Sequence, residues 1–207
     1  MATLTAKENI LKRIKKALEQ PVPLPFPLID NNAAIFPLPD EALEILFAAE
    51  FTKLQGRFAF CINEIDMERQ VQQLIAAKQW SKIYCNENKW NPLFSNTINL
   101  ATCDASVTGC EYLVARTGTI VMSAAQQSGR TVSVYAPVHI CIAYTYQLVY
   151  NLSETLQLLK DKYAGNIPSL ITFASGPSRT ADIEKTLVTG VHGPKEVYLF
   201  LVDSPLT

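Results

Sequence analysis

The chain has 207 residues, 48% of them hydrophobic, with a formal net charge of -1 and a sequence pI near 6.1. A chain of that length buries roughly 70% of its unfolded surface, which excludes disorder of the whole chain, and the near-neutral balance gives no footprint for nucleic acid or a membrane surface. The five cysteines (Cys61, Cys85, Cys103, Cys110 and Cys141) are widely spaced and form no C-x-x-C pair, which argues against a zinc ribbon, a thioredoxin-like motif or an iron–sulfur ligand run and fits free thiols in a reducing cytoplasm.

Thr5-Ala6-Lys7-Glu8 forms a capping box, and Ile10, Leu11, Ile14 and Leu18 recur at helical spacing, which predicts a helix from about Ala6 to Glu19. Its basic cluster, Lys12, Arg13, Lys15 and Lys16, reads as a solvated helix face rather than an interaction arm. The amino terminus has no apolar signal core. Prolines at 21, 23, 25, 27, 37 and 39 then fix an extended strap. Its interleaved Val22, Leu24, Phe26, Leu28 and Ile29 are apolar enough to lie on another surface, of the same domain or of a partner subunit. Residues 1–39 are therefore an N-terminal helix and arm, and 40–207 the main domain.

Asp40 is placed to cap a helix running to about Leu54 and stopped by Gly56, followed by a buried strand at Phe58–Ile62. Asn63 opens the next helix, and Lys82–Cys85 is again a strand. Strand–helix alternation of this kind predicts an α/β layering with a mainly parallel sheet. Four short β-like runs follow, at Tyr112–Ala115, Thr119–Ala124, Thr131–Ala136 and His139–Ala143, punctuated by Thr117-Gly118 and Ser128-Gly129. Their close spacing predicts an antiparallel hairpin region. The longest apolar stretch, Ala136 to Tyr150, is interrupted by His139, Thr145 and Gln147 and is too short and polar to span a bilayer. Ser153 caps a helix to about Tyr163, and the last strand is Glu196–Val202.

The chemistry concentrates at the end of the chain. The β-prone run Pro168–Ala174 enters the small-residue turn Ser175-Gly176-Pro177-Ser178, followed by Arg179-Thr180-Ala181-Asp182, with Gly190-Val191-His192-Gly193-Pro194 beyond. This predicts a turn at the carboxyl end of a strand, running into a helix whose free N–H groups favour an anion. Ser178 or Thr180 would cap that helix, Arg179 would fork onto a carboxylate or phosphate, and Asp182 would sit in its first turn. The plainer reading is a cap with an internal Arg179–Asp182 pair. Thr117-Gly118-Thr119 and Gly129-Arg130 could face the same cleft. His139 and His192 read either as structural histidines or as groups lining a site. With two histidines in the chain and no Cys or carboxylate at ligand spacing, neither a metal nor a cofactor is expected. Neither phosphate-loop glycine motif is present, nor a G-x-S-x-G elbow.

Taken together these segments resemble the lactate-utilisation protein C family, the LUD-domain proteins. Ala115-Arg116-Thr117-Gly118-Thr119-Ile120-Val121 is similar to the family's A-E-T-G-T-hydrophobic segment. Gly129-Arg130 and Pro137-Val138-His139-Ile140 match its G-R and P-x-H-I stretch. Ser175–Glu184 and Gly190–Pro194 match S-G-P-S-x-T-A-D-I-E and G-V-H-G-P. The resemblance runs from about Thr108 to Asp203, and departs from the pattern at Arg116, where the family often has Glu.

The resemblance implies a three-layer α/β/α fold of the NagB/RpiA/CoA-transferase-like type. It also implies ligand contacts at Thr117, Gly118, Thr119, Arg130, His139, Ser175, Gly176, Ser178, Arg179, Thr180, Asp182 and His192. It links the chain to oxidation of L-lactate to pyruvate beside iron–sulfur partner subunits that carry the electrons. The expected role is that of a non-redox, cytoplasmic subunit that binds a small carboxylate or phosphate or stabilises those partners. A stand-alone isomerase or transferase acting on a phosphorylated or acyl small molecule is the alternative, and homo-oligomerisation is left open.

Overall fold

The computed structural model describes residues 6–19, 40–180 and 188–203. The chain divides into two units, Met1–Leu38 and Pro39–Thr207. The first is described by its one helix, α1 (Ala6–Leu18), with Glu8 in its first turn and Lys15 and Lys16 in its last, an arrangement that matches the helix dipole. Thr5 and the proline-rich strap lie outside the described residues.

In the second unit the elements run α2 (Leu43–Lys53), β1 (Arg57–Cys61), α3 (Glu64–Ala77), β2 (Ile83–Tyr84), α4 (Asn91–Phe94), β3 (Ala105–Thr108), β4 (Tyr112–Val114), β5 (Thr119–Ser123) and α5 (Val132–Tyr135). They continue as β6 (Val138–Tyr144), β7 (Leu148–Val149), α6 (Leu152–Lys162), β8 (Ile171–Ala174), β9 (Arg179–Thr180), β10 (Val188–Thr189) and β11 (Glu196–Val202). A five-stranded sheet of order β1-β11-β6-β3-β2 is parallel throughout. A second sheet, β7-β4-β5-β8, is antiparallel at β4–β5 and β5–β8. The α/β class, the parallel sheet and the hairpin region are as expected.

The two central strands explain the layering. All seven residues of β6 are buried, and they alternate between two cores. Val138, Ile140, Ile142 and Tyr144 face Met67 and Val71 of α3 and Phe94 of α4, whereas Cys141 and Ala143 face Phe47 and Phe51 of α2 with Leu113 and Ile120 of the second sheet. β11 alternates in the same way, with Tyr198, Phe200 and Val202 on the first side and Val197, Leu199 and Leu201 on the second. The parallel sheet thus lies between α3 and α4 on one face and α2 with the second sheet on the other. On the far side of the second sheet, α6 adds Leu159 against Val114, Val121 and Val149. Each large apolar side chain so buried contributes about 1.5–3 kcal/mol.

Several local expectations are corrected. The helix after Asp40 begins at Leu43, with Ala42 rather than Asp40 in the N-cap position. Thr131–Ala136 is no strand: Val132–Tyr135 forms one helical turn leading into β6. Asn151, not Ser153, occupies the N-cap position of α6. Asn63 does cap α3, its side chain accepting from the Asp66 N–H at 2.8 Å. The most consequential correction falls at Arg179-Thr180. This dipeptide is a short strand paired antiparallel with Val188-Thr189; residues 181–187, which the expected helix would include, lie outside the described residues.

Candidate functional site

The turn after β8 is tied down by backbone bonds. The Ser178 N–H donates to the Pro194 carbonyl at 2.9 Å, and the Gly190 N–H donates to the Ser178 carbonyl at 3.0 Å. The Lys195 N–H donates to the Pro137 carbonyl at 2.8 Å, which fastens the 190–195 loop to the chain entering β6. These bonds place the turn beside the amino ends of β6 and β11, because Val138 and Glu196 are their first residues. The turn does follow the carboxyl end of a strand, β8, as expected, yet against the parallel sheet it lies at the amino edge. The reason is topological: β8 belongs to the second sheet, antiparallel to β5.

The result is a cavity of about 220 Å³ lined by His139, Ser175, Gly176, Ser178 and His192, with Met122 and Phe173 among its apolar walls. A more open cavity of about 460 Å³ adjoins it, sharing Val134, His192 and Gly193 and adding Lys195. Three segments distant in sequence therefore supply the polar lining, and five of the twelve expected ligand residues meet.

His139 is the deepest of them, 1% exposed. Its Nε2 lies 2.7 Å from Thr108 Oγ1, and the Thr108 hydroxyl donates to the Gly109 carbonyl at 2.9 Å. A hydroxyl has one proton, which serves either the carbonyl or the ring, and the tautomer of His139 follows from which of the two it serves. Burial pushes the ring's pKa down to about 4, so near neutral pH the imidazole is uncharged. His192, by contrast, is exposed.

The two glycine-containing turns meet through hydroxyls. Ser175 Oγ lies 2.7 Å from Thr119 Oγ1, itself 2.7 Å from Thr117 Oγ1. Their glycines serve packing. Gly118 (φ +56°) would carry a Cβ 2.5 Å from the Phe51 backbone nitrogen, and Gly176 (φ +80°) one 2.4 Å from the Leu54 carbonyl oxygen. Both turns thus close on the end of α2, where only a residue without a Cβ fits.

The remaining expected residues lie elsewhere. Arg179 is exposed and donates to the Leu54 carbonyl at 2.6 Å, at the C-terminal end of α2. Thr180 pairs with Val188 in the hairpin. Arg130 bonds Ser169 Oγ. Asp182 lies outside the described residues. Sequence reasoning missed Thr108, although a Thr-Gly ending an apolar run is a readable signal of a strand end carrying a hydroxyl. It also missed Glu111, a buried carboxylate that accepts from Lys162 at 2.6 Å, Ser123 at 2.5 Å and Tyr163 at 2.6 Å. Burial opposes its charge, but these bonds together outweigh burial and hold the carboxyl below its ordinary range. Among the described residues no group of three or more His, Cys, Asp or Glu is placed to hold a metal, and no helix is long and apolar enough to cross a membrane.

The fold is a parallel α/β core with a second sheet folded over one face, and a small polar-lined cavity lies at the amino ends of β6 and β11. Residues 94–202, just over half of the chain, match the LUD domain family, and the chain belongs to that family. It is 38% identical over 100 residues to lactate utilization protein C of Bacillus licheniformis, a stretch covering 47% of this chain and 42% of that protein. It is 27% identical over 224 residues to lactate utilization protein C of an Exiguobacterium species, covering 97% of each. The stretches matched in the Bacillus licheniformis and Halalkalibacterium halodurans relatives span 42% and 44% of those proteins' lengths. A crystal structure of a DUF162 family protein from Deinococcus radiodurans superposes with a TM-score of 0.59 at 17% identity, covering 80% of this chain and 99% of that one. It shares the fold.

Proposed function

We propose that this chain is a cytoplasmic component of a lactate-utilisation system and binds a small organic anion in the cavity between β6, the turn after β8 and the 190–195 loop. The observation that carries this reading is the convergence of His139, Ser175, Ser178 and His192 on one cavity of about 220 Å³, with Lys195 at the adjoining opening. That volume suits a metabolite of a few heavy atoms rather than a dinucleotide. The Lys195 charge at the mouth and the neutral imidazole within favour a molecule with an anionic end and a polar, uncharged end. The names of the relatives support placing that metabolite in lactate metabolism. All five cysteines are free and buried, so on this reading electrons are handled by iron–sulfur partner subunits, and this chain contributes binding.

Calorimetric titration of the full chain with L-lactate, pyruvate and inorganic phosphate tests the site. Binding of a carboxylate by the wild type, weakened in His192→Ala while the unfolding curve stays put, is the expected result. No binding of any of the three anions at millimolar concentration would remove the cavity as a metabolite site. Affinity capture of the chain from cells grown on lactate tests the partner assignment, which fails if no iron-containing protein is retained.

A further inference from the structure

We propose that α1 is a membrane-surface helix, which lies in the plane of an anionic lipid bilayer with its aliphatic stripe sunk into the interface and its basic residues among the headgroups. The inference is independent of the cavity around His139. Ile10, Leu11, Ile14 and Leu18 follow one another at helical spacing and so form one stripe. No residue of the helix is buried, and these four are 58%, 54%, 50% and 75% exposed. Single aliphatics on a surface need no explanation, but a contiguous stripe held in water marks a docking face. The basic cluster alone reads as a solvated face; the structure adds that the apolar face is just as bare.

Charge identifies what covers that face. Five of the 13 residues are basic and one, Glu8, is acidic, an excess that the whole-chain charge of -1 conceals. Arg13 lies one turn from Ile10, and Lys15 one turn from both Leu11 and Leu18, so these two cations flank the stripe. Lys12 and Lys16 stand on the opposite side of the helix. Among the described residues none of the four is in an ion pair. A protein carboxylate or a phosphate in a cleft engages one or two cations from one direction and leaves the rest of such a ring facing water. A bilayer rich in anionic headgroups attracts every lysine and arginine near it, about fivefold in binding constant for each. The helix is about 10–12 Å across and an interfacial helix sinks about 5–10 Å, so even Lys12 and Lys16 stay within about a Debye length of the headgroups. Arg13 and Lys15 lay their aliphatic stems along the stripe while their charges reach outward. A short helix with four aliphatics and five cations suits lying on a bilayer rather than crossing it, and no described helix is long and apolar enough to cross.

Flotation of the full chain with vesicles of equal parts phosphatidylglycerol and phosphatidylcholine, against vesicles of phosphatidylcholine alone, is the test. Binding to the anionic vesicles is expected to be at least about tenfold tighter and to weaken as salt is added. Lys12→Gln combined with Lys16→Gln is expected to weaken it about 25-fold, and Ile14→Gln about tenfold. All three positions are exposed, and circular dichroism checks that each variant keeps its fold. Orientation is read with an environment-sensitive fluorophore on Ile14→Cys and, separately, on Lys16→Cys, since the native cysteines are buried. A blue shift on anionic vesicles is expected at position 14 and not at position 16. No binding to anionic vesicles, or equal binding to the two vesicle types, would overturn the proposal. Variants that bind as the wild type does, or equal shifts at the two positions, would overturn it as well. A wild-type oligomer that Ile14→Gln dissociates, with no vesicle binding by either protein, would give the stripe to a second copy of the chain instead.

Discussion

The burial of an uncharged His139 makes stability depend on pH in a window where few other groups act. The folded ring titrates near pH 4, against an ordinary value of 6.5. Its folded pKa is depressed, so its contribution is fully present above the unfolded value and is lost as pH falls towards the folded one, because between the two the unfolded chain takes up a proton that the native protein refuses. Between about pH 7.5 and about pH 4.5 the loss amounts to about 2.5 kcal/mol, or a fall in Tm of about 5–10 °C for a domain of this size. Glu111, Asp66 and Asp104 have carboxyl pKa values held below the ordinary range, so their share is lost mostly at lower pH. Glu87 works in the opposite sense, since burial raises its pKa and the folded protein gains a proton there as pH drops. The wild-type slope is therefore a difference. His139→Gln isolates the imidazole, because its amide can still bond Thr108 as donor or acceptor and does not titrate. Urea denaturation of both proteins across this range is the assay. The wild type is expected to lose about 2.5 kcal/mol more than His139→Gln over the window. Parallel pH profiles for the two would refute a buried neutral imidazole.

Three further outcomes follow from the packing. Gly118→Ala, whose Cβ would fall 2.5 Å from backbone nitrogen at φ +56°, is expected to lose at least about 2 kcal/mol in chemical denaturation, against about 1 kcal/mol or less for Gly129→Ala, where the added atom meets open space although φ is also positive. Arg179→Ala removes the bond to the Leu54 carbonyl and is expected to lose about 0.5–1.5 kcal/mol while binding carboxylates as the wild type does; lost binding with unchanged stability would return Arg179 to the site. Burial raises the thiol pKa of Cys61 to about 12 and of Cys85 to about 11, so with all five cysteines buried a disulfide reagent is expected to titrate them only as the protein unfolds; a fast-reacting thiol in the native protein would contradict this.

Where residue pattern and tertiary demand agree, the fold was legible from the chain alone. Asn63 ahead of a helix-period run is a cap by local chemistry, and it caps α3. The run Glu196–Val202 is apolar from Val197 onward because β11 is buried on both faces there, between β1 and β6 in the parallel sheet. Thr131–Ala136 misled because Thr, Val and Tyr favour strands, yet the chain there must turn into the start of β6, and one helical turn does so with Val132 and Ser133 buried. Weak β-propensity yields to such context. Asp40 misled by proximity alone, since a carboxylate near a helix caps it only when the backbone places it at the N-cap.

The cavity was legible as a set of residues and illegible as a geometry. Ser175-Gly176-Pro177-Ser178 suggested a helix entrance because small and hydroxyl residues serve helix starts and tight hairpin links alike, and nothing local separates the two. The partner decides: Val188-Thr189 offers Arg179-Thr180 a strand to pair with, and the dipeptide takes it. On the proposed reading of the cavity, that change moves the candidate site from Arg179 to the two histidines. It also explains why Gly118 and Gly176 suggested ligand contact: the atom each would crowd is backbone at the end of α2, and a close approach to backbone requires glycine as strictly as a close approach to phosphate does. Thr108 escaped notice for the converse reason. A threonine ending a strand is unremarkable until the neighbouring strand brings a histidine to 2.7 Å, and only β3–β6 register, which no local pattern encodes, brings that hydroxyl to the buried ring.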